Sequence, residues 1–347
     1  MSYNKDINAV ACLDLPWEKL NGCNILITGA TGLIGSCLVE ILMSRPNKSY
    51  HVYASGRDET RAKERFREFA DDPAFHFFYY DVMETLKSGV DFHYVIHAAS
   101  NASPKFFATK PVEVMKSNFI GVCNLIDYGI EHNLKRFLFV STGEIYGEGD
   151  GRAFSEDYSG FVNTMLPRSC YPSSKRAAET LCVSYCSEYG IEAVVARPCH
   201  IYGPHFSADD NRVYAQFIRN VLAGEDIVMK SSGSQFRSWC YVVDCASALL
   251  CILLKGENAQ AYNIADEKSN ISIKQLADLI AQIGGLKVVI DIPTDAEKAG
   301  FNVVSKSVFS TDKIRALGWN AINDLNDNLT NTIRECQRVA SSTSITT

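Results

Sequence analysis

The chain has 347 residues, with 34 lysines and arginines against 40 aspartates and glutamates, and 46% of its residues are hydrophobic. This composition is that of a globular protein, and the length exceeds what one hydrophobic core usually fills, so we expect two lobes. The formal net charge of −6 offers no basic surface to a phosphate backbone, which argues against nucleic-acid binding.

The N-terminal segment and the cysteines indicate the compartment. Residues 1–21 are polar and interrupted by Asp6, Asp14, Pro16 and Glu18. No apolar run of about 18 residues follows, so we expect neither a signal peptide nor a membrane contact. The 12 cysteines include no CxxC pair. We therefore predict a cytoplasmic protein with reduced thiols and no bound metal.

Short apolar runs alternate with longer segments of helical periodicity as far as Arg197. The runs are residues 24–28, 51–54, 75–80, 94–97, 137–141 and 193–197. Such alternation is typical of parallel βαβ units, and continuously apolar strands belong to a sheet that helices cover on both faces. We predict an α/β fold, a doubly wound parallel (Rossmann) sheet with a smaller C-terminal substrate-binding lobe.

The rhythm changes after Arg197. A loop rich in glycine, proline and aspartate precedes a helical pattern from Val213 to Ala223, and Ser272 with Gln275 matches a capping box. We predict residues 1–197 to be mainly the dinucleotide-binding domain, 198–335 mainly the substrate lobe, with some segments returning to the first domain, and 336–347 a polar tail that frays.

The first strand runs into a glycine-rich turn, Gly29-Ala-Thr-Gly-Leu-Ile-Gly35, which leads into a helix. Glycines here allow a tight turn and let the backbone approach a pyrophosphate, while the helix N-terminus supplies free N–H groups. The spacing is GxxGxxG rather than GxGxxG, so the prediction rests on the strand–turn–helix context, with an ordinary glycine-rich turn as the alternative. The predicted cofactor contacts are Gly29, Thr31, Gly32, Leu33, Ile34 and Gly35.

The end of the second strand indicates which dinucleotide binds. An NAD site would place Asp or Glu there for the ribose hydroxyls, whereas this chain has Ser55-Gly-Arg57. A guanidinium beside a small hydroxyl suits the 2′-phosphate of NADP(H), which we favour over NAD. The alternatives are that Arg57 is only an exposed charge, or that Asp58 serves NAD. Asp81 and Val82 follow the third strand, where a carboxylate can reach the adenine amino group.

Further motifs follow in a fixed order. They are Gly29-x-x-Gly32-x-x-Gly35, His97-Ala-Ala99, Asn118, Ser141-Thr-Gly-Glu-Ile-Tyr-Gly147, Tyr171-x-x-x-Lys175 and Arg197-Pro-x-x-x-Tyr-Gly-Pro204. Together they resemble the extended short-chain dehydrogenases, in the branch of nucleotide-sugar epimerases, 4,6-dehydratases, decarboxylases and ketoreductases, over about residues 20–335. The resemblance is strongest to UDP-glucuronate decarboxylases, through Ser155–Tyr158, Val162-Asn163, Pro167–Tyr171 and Lys175–Glu179. It implies a nucleotide-sugar substrate, and it places Ala98 and Ala99 against the cofactor.

Tyr171 and Lys175 lie one helical turn apart and face the same way. Hydride transfer at a carbinol requires a proton to be taken from, or returned to, its oxygen, and a phenol beside an ammonium can exchange that proton. Lys175 should lower the pKa of the phenol and hold the nicotinamide ribose, and Thr142 should hydrogen-bond the reacting oxygen. By resemblance, Asn118 shapes the proton path.

The two residues after Thr142 distinguish the reactions of this family. In 4,6-dehydratases they resemble Asp-Glu, a general acid and the base that removes a sugar proton, whereas here they are Gly143-Glu144. Without the acid, elimination of a 6-hydroxyl is disfavoured by about 10²–10⁴-fold. The decarboxylases tend to have Ser-Glu, so Glu144 keeps decarboxylation open. The alternative is that Glu144 only orients a sugar hydroxyl or a water.

The same resemblance places cations at the substrate. His200 stands where relatives usually have an asparagine that binds the substrate diphosphate, and Arg237 matches the family arginine near that group. Arg168 and Arg212 add charge, which implies an anionic substrate, with a solvated surface as the alternative. The predicted substrate-binding residues are Ser103, Arg168, His200, Arg212, Val213 and Arg237.

We predict an NADP(H)-dependent reductase of a nucleotide-activated keto sugar for cell-surface glycan synthesis. Arg57 suits NADPH, Gly143 removes the elimination acid, and Tyr171 with Lys175 suffices to protonate an alkoxide. The alternative is a UDP-glucuronate decarboxylase or nucleotide-sugar 4-epimerase with tightly bound NAD. A third hypothesis, a catalytically silent NADP(H)-binding regulator, conflicts with the intact Thr142, Tyr171 and Lys175.

We also predict a homodimer. The helical segments 112–132 and 171–188 match the pair with which relatives build a four-helix interface. Their apolar residues exceed what one sheet face requires. The residues concerned are Val114, Phe119, Val122, Leu181 and Tyr185.

Overall fold

The structure, a computed structural model, describes residues 2–207, 210–291 and 306–343. Its main sheet comprises β1 (Asn24–Thr28), β2 (His51–Gly56), β3 (Phe75–Tyr79), β4 (Tyr94–His97), β5 (Arg136–Val140), β6 (Ala193–Pro198) and β10 (Ala261–Ile264). The seven strands are parallel, in the order β10-β6-β5-β4-β1-β2-β3. The six predicted strands are confirmed. The sequence did not reveal β10, because it is short and contains the polar Asn263, which is buried and donates a hydrogen bond to the Phe154 carbonyl oxygen (2.9 Å).

Helices cover both faces of this sheet, and others pack on the strands that follow Pro198. They are α1 (Tyr3–Ala11), α2 (Leu33–Ser44), α3 (Glu59–Arg65), α4 (Pro104–Thr109), α5 (Pro111–Glu131), α6 (Cys170–Tyr189), α7 (Val213–Ala223), α8 (Val242–Lys255), α9 (Ile273–Gly284), α10 (Asp312–Ala316) and α11 (Leu325–Thr343). Leu38 and Leu249 pack α2 and α8 into one core, and Ile126 and Cys182 pack α5 and α6 into another. The predicted doubly wound α/β fold is therefore confirmed. Within the described ranges, no helix has the length and hydrophobicity of a membrane span.

Apart from β10, the strands beyond Pro198 form smaller sheets. The strands are β7 (His200–Tyr202), β8 (Ile227–Met229), β9 (Phe236–Tyr241), β11 (Asp266–Ser272), β12 (Val288–Ile290) and β13 (Lys306–Ser307). β9 pairs antiparallel with β11 and parallel with β7 and β13, while β8 pairs with β12. Ser272 and Gln275 form the predicted capping box at the start of α9. Because β7 begins one residue after β6 ends, this second group of sheets starts directly at the carboxyl edge of the main sheet.

The polar N-terminal segment folds as α1, which the sequence did not predict. Tyr3, Ile7 and Val10 lie on its buried face. Asp6 is also buried and accepts hydrogen bonds from Asn331 Nδ2 (2.8 Å) among other donors. The apolar spacing is that of an amphipathic helix, but it is short and interrupted by polar residues that only find partners in the folded chain.

Candidate active site

The glycine-rich turn has the geometry of a dinucleotide cradle. Gly29 has φ +67°, and a Cβ there would lie 2.7 Å from Ala99 Cα, while a Cβ on Gly35 would lie 2.3 Å from the Gly29 carbonyl oxygen. Only glycine fits at either position. Gly32 is the N-cap of α2, so the free N–H groups of that helix lie at the turn. The other predicted contacts of the turn, all half-buried, are Thr31, Leu33 and Ile34.

The end of β2 meets two carboxylates. Ser55 is buried, and its hydroxyl has no hydrogen-bond partner among the described residues. Arg57 Nη1 lies 3.6 Å from Asp81 Oδ2 and 3.6 Å from Glu113 Oε1. The guanidinium predicted to bind a 2′-phosphate is therefore shared between two acids. Asp58, the alternative NAD ligand, caps α3 by accepting a backbone hydrogen bond.

The loop after β4 lies beside the turn. The backbone N–H groups of Ala98 and Ala99 donate to Thr28, to its carbonyl oxygen (3.3 Å) and its Oγ1 (3.4 Å). Thr28 Oγ1 also lies 2.7 Å from His97 Nδ1, and burial lowers the pKa of His97 to about 3, which keeps the imidazole neutral. Val82, after β3, is buried. The residues predicted to bind the cofactor thus share the carboxyl edge of the sheet, where parallel α/β folds hold nucleotides.

Tyr171 and Lys175 lie in the first turns of α6, and both are buried. Lys175 Nζ donates a hydrogen bond to the Val140 carbonyl oxygen (2.8 Å) and lies 5.9 Å from the centroid of the Tyr171 ring. Burial lowers the pKa of Lys175 to about 7, because a charge removed from water is costly. The amine and the phenol are therefore neighbours at the carboxyl end of β5.

The ring of Tyr171 is held by a stacked aromatic side chain. Phe107 of α4 lies parallel to it, with centroids 4.5 Å apart and an interplanar angle of 22°, and Arg168 Cζ lies 4.6 Å from the centroid of Phe107. The Thr142 side chain acts on the Tyr171 hydroxyl and favours its ionised form. Burial and then the negative charge of Glu144 raise the pKa of Tyr171. Thr142, Arg212 and Arg168, rather than the predicted Lys175, lower the pKa of Tyr171, and burial outweighs them.

Thr142 caps a short 3₁₀ turn, Gly143–Tyr146, by accepting a hydrogen bond from Glu144 N (3.2 Å). Arg168 Nη2 lies 2.9 Å from the Glu144 carboxylate, and the two side chains are 48% and 41% exposed. Both charges act on the Tyr171 hydroxyl. An ion pair this exposed contributes little to stability, so its effect is to orient the two charges beside the phenol.

Asn118 on α5 is completely buried. Its Oδ1 accepts a hydrogen bond from Ser100 Oγ (2.8 Å), and its Nδ2 donates to Ser174 Oγ (3.0 Å). Ser174 Oγ in turn donates to the Cys170 carbonyl oxygen (2.6 Å). This chain of hydrogen bonds connects the loop after β4 to the helical turn that carries Tyr171.

A buried ion pair braces the strand ends next to the site. Arg197 Nη2 lies 2.7 Å from Glu179 Oε2, and Ser141 Oγ donates a hydrogen bond to the same carboxylate. Arg197 Nη1 also donates to the Tyr146 hydroxyl (3.1 Å). The motif positions 179 and 197 therefore join β5, α6 and β6 and hold the turn after Thr142.

Three of the predicted substrate residues lie together. His200 opens β7, the buried Arg237 lies on β9, and Arg212 is the N-cap of α7. The side chain of His200 is exposed, and its pKa is lowered by partial desolvation and by the charges of Arg237 and Arg212, so its imidazole is neutral. Arg212 Nε lies 2.9 Å from Asp210 Oδ1, and Arg212 also interacts with Tyr171. The charge of Arg212 therefore acts on both His200 and the Tyr171 hydroxyl.

The remaining two predicted substrate residues stand at helix N-termini. Ser103 is half-buried, and its carbonyl oxygen accepts a hydrogen bond from Phe106 N (2.9 Å) at the start of α4. Val213 is the first residue of α7 and packs against the main core. Ser103 thereby anchors the helix that carries Phe107.

Sequence reasoning missed several residues that contact this site. They are Ser100, Phe107, Glu113 and Ser174. Of these four, only Ser100 could have been identified from the sequence, because it follows Ala98 and Ala99 at the carboxyl end of a predicted strand. The others come from helices whose inward faces the sequence does not identify.

A Rossmann sheet with a glycine cradle and a Tyr171–Lys175 pair beside Thr142 defines a dinucleotide-dependent enzyme of the short-chain dehydrogenase type. The model of the NAD dependent epimerase/dehydratase family matches residues 25–265, and the chain belongs to this family. The predicted membership and the prediction of an enzyme are both confirmed.

Within this family, the chain is similar in sequence to proteins named as UDP-glucuronic acid decarboxylases. UDP-glucuronic acid decarboxylase 6 of Arabidopsis thaliana is 36% identical over 276 residues, which cover 78% of each chain. UDP-glucuronic acid decarboxylase 1 of Xenopus tropicalis is 32% identical over 314 residues, 89% of this chain and 71% of that protein. These names support the predicted alternative better than the keto-sugar reductase that we favoured from the sequence.

Solved structures agree on the fold. UDP-glucose 4-epimerase of Thermotoga maritima, with UDP-glucose, is 25% identical with a TM-score of 0.76 over 91% of this chain and 99% of that one. A dTDP-glucose 4,6-dehydratase of Streptomyces venezuelae, with NAD and TYD bound, has a TM-score of 0.80 over 92% and 98%, but it is 20% identical and shows the fold alone. The comparisons do not support the predicted preference for NADP(H).

Proposed function

We propose that the chain is an NAD-dependent UDP-glucuronate decarboxylase that forms a UDP-pentose. The observation that carries the proposal is Glu144, which Arg168 holds at 2.9 Å next to Tyr171 and Thr142, with glycine at position 143. A site with this carboxylate can assist protonation of C5 of the sugar. Without a neighbouring acid, it cannot protonate a departing hydroxyl. The sequence identity of 36% and 32% to two UDP-glucuronic acid decarboxylases supports the same reaction.

The protein's own residues handle the oxygen at C4. Thr142 holds the 4-hydroxyl, and Tyr171 in its phenolate form takes the hydroxyl proton when the hydride leaves C4. Lys175 stabilises the negative charge of that phenolate. The chemistry that bound NAD supplies is removal and later return of a hydride at C4. The resulting C4 ketone is β to the C6 carboxylate, so the C5–C6 bond breaks, CO2 leaves, and the electron pair moves into the C4 carbonyl, whose oxygen Tyr171 protonates.

Glu144 and Arg168 act at the C6 carboxylate of the sugar. Arg168 attracts the C6 carboxylate, and Glu144 orients the water that protonates C5 after CO2 has left. The exposure of both side chains suits this assignment, because CO2 and water must exchange with solvent. The diphosphate lies against Arg212, Arg237 and the neutral His200, which can donate a hydrogen bond.

The residues at the cofactor end fit a dinucleotide and favour NAD. The glycine cradle admits a pyrophosphate, and the buried Ser55 hydroxyl is left for a ribose. A 2′-phosphate at Arg57 would also approach Asp81 and Glu113, each 3.6 Å from the guanidinium. This repulsion replaces the preference for NADP(H) that Arg57 predicted when taken alone.

One incubation tests the reaction. Purified protein and UDP-glucuronate, without added cofactor, should release CO2 and give a UDP-pentose by mass spectrometry, and denaturation should release NAD. A 4-epimerase would give a product of unchanged mass. A reductase would leave UDP-glucuronate intact and consume added NADPH only with a keto sugar, and either result would reject the decarboxylase.

We further propose a cytoplasmic homodimer built on α5 and α6. Residues 1–197 form mainly the cofactor domain and residues 198–335 mainly the substrate lobe, with β10 returning to the sheet of the first domain. Val112, Met115, Phe119 and Val183 form the exposed apolar stripe, with exposures of 64%, 45%, 40% and 44%. Val114 and Val122, named from the sequence, are instead buried in the chain's own core. Sedimentation should show a dimer that Phe119→Asp dissociates, and a wild-type monomer at micromolar concentration would reject it.

A further inference from the structure

Gly143 faces an aromatic ring from the C-terminal part of the chain. A Cβ built on Gly143 would lie 2.0 Å from Cζ and 2.5 Å from Cε1 of Phe309. The backbone at Gly143 is not in the left-handed region that favours glycine. The ring of Phe309, rather than the backbone, is therefore what requires glycine at this position.

Phe309 has little freedom to move aside. Its side chain is buried at 2% exposure, and the rings of Tyr146 and Phe154 stand edge-on to it, with centroids 5.6 Å and 5.8 Å away. Its backbone N–H donates to Ser238 Oγ (3.1 Å), and the residues on either side of it pair with the backbone of Phe154 (2.7 and 2.9 Å). A side chain at position 143 would have to displace a buried ring that packs between Tyr146 and Phe154.

We propose that Gly143 and Phe309 are a coupled specificity pair: the ring fills the space that a side chain at position 143 would need, and so keeps an acid away from the sugar beside Thr142. The inference deepens the proposed function and rests on it. Elimination would require Glu144 to remove the C5 proton while an acid at 143 protonates the 6-hydroxyl, which leaves as water. Phe309 excludes that acid, so a nucleotide sugar that carries a 6-hydroxyl is not dehydrated at this site, and the site acts on the sugar that carries a C6 carboxylate.

A thermal-unfolding cycle tests the steric part without any substrate. Gly143→Ala should lower Tm by about 2–6 °C. The matched control Gly149→Ala should lower Tm less, because its Cβ would meet Phe154 Cζ at 3.1 Å. Phe309→Ala should lower Tm by itself, and adding Gly143→Ala to it should lower Tm no further. An equal effect of Gly143→Ala in both backgrounds would overturn the coupling.

Product analysis tests the specificity part, with UDP-glucose as the probe because it has a 6-hydroxyl and no carboxylate. The double variant Gly143→Asp/Phe309→Ala should form a product lighter by one water, in which the hydride taken from C4 is returned at C6. Wild-type protein and Phe309→Ala alone should form none.

Two results would overturn the specificity role. One is elimination by Gly143→Asp with Phe309 intact. The other is a double variant that decarboxylates UDP-glucuronate but eliminates no water. If wild-type protein fails to decarboxylate UDP-glucuronate, the proposed function fails by itself, and the thermal cycle still decides whether the two residues are coupled.

Discussion

The two sides of the candidate site are built differently. On the cofactor side, Tyr171, Lys175 and Asn118 are buried and fixed by stacking or by hydrogen bonds to neighbouring elements. On the proposed sugar side, Glu144 and Arg168 lie on short 3₁₀ turns, are exposed, and form an ion pair with each other. In the proposed mechanism, the groups that exchange protons are therefore positioned before substrate arrives, whereas Glu144 and Arg168 would exchange their mutual ion pair for contacts with the substrate.

The physical difference lies in what fixes each group. Packing and buried hydrogen bonds are insensitive to salt, while an exposed ion pair contributes about 0–1 kcal/mol and is screened. Removing a cofactor-side group should therefore lower turnover or change how stability depends on pH. Removing a sugar-side group should change kcat or KM with little effect on Tm.

The largest expected effect is that of Tyr171→Phe. Turnover should fall by about 10²–10⁴-fold, because the proton donor is lost while the ring still stacks on Phe107. CO2 release measured alongside Tm checks this, with the exposed Tyr189→Phe as a control that should match wild type. Near-normal turnover would remove Tyr171 from the mechanism.

Glu144→Gln should lower kcat by about 10–100-fold, because the water near C5 loses its orienting charge. Arg168→Ala should mainly raise KM for UDP-glucuronate, since the C6 carboxylate loses its partner. Tm should stay within about 1 °C of wild type in both variants, as the exposed pair stabilises the fold weakly. A large fall in Tm would show that the two sides are not built differently.

Lys175→Met tests the cofactor side through the pH dependence of stability. The folded-state pKa of about 7 lies below the usual 10.5, so the unfolded chain binds more protons between these values, and wild-type stability should rise with pH across that window. The variant lacks this contribution, at about 1.4 kcal/mol per pH unit. In chemical denaturation from pH 7 to 10, the free energy of unfolding of wild type should therefore rise relative to that of Lys175→Met. A constant difference between the two would contradict the lowered pKa of the buried amine.

Arg57→Ala should have the smallest effect. Because Asp81 and Glu113 already share this guanidinium, its loss should change NAD affinity by less than about threefold, which is below 1 kcal/mol. Calorimetric titration of wild type and variant with NAD and NADP checks this. Tighter wild-type binding of NADP, lost in the variant by about 10–150-fold, would instead restore the phosphate site that the sequence predicted.

The sequence by itself determined the features that neighbouring residues specify. Apolar runs marked the six strands β1–β6, the three glycines marked the turn after β1, and the four-residue spacing of Tyr171 and Lys175 placed both on one helical face. Each of these depends on local backbone geometry, such as the period of a helix or the φ of a turn, which a short segment carries in its own composition.

Only the tertiary structure decided which distant groups surround those features. Asp81 and Glu113 reach Arg57, Phe107 stacks on Tyr171, and β10 returns to the sheet from beyond residue 198. Phe309 packs on Gly143 from 166 positions away along the chain. Charge balance, pKa and steric room arise from such contacts, and no local pattern encodes them, because they depend on which faces the folded chain brings together.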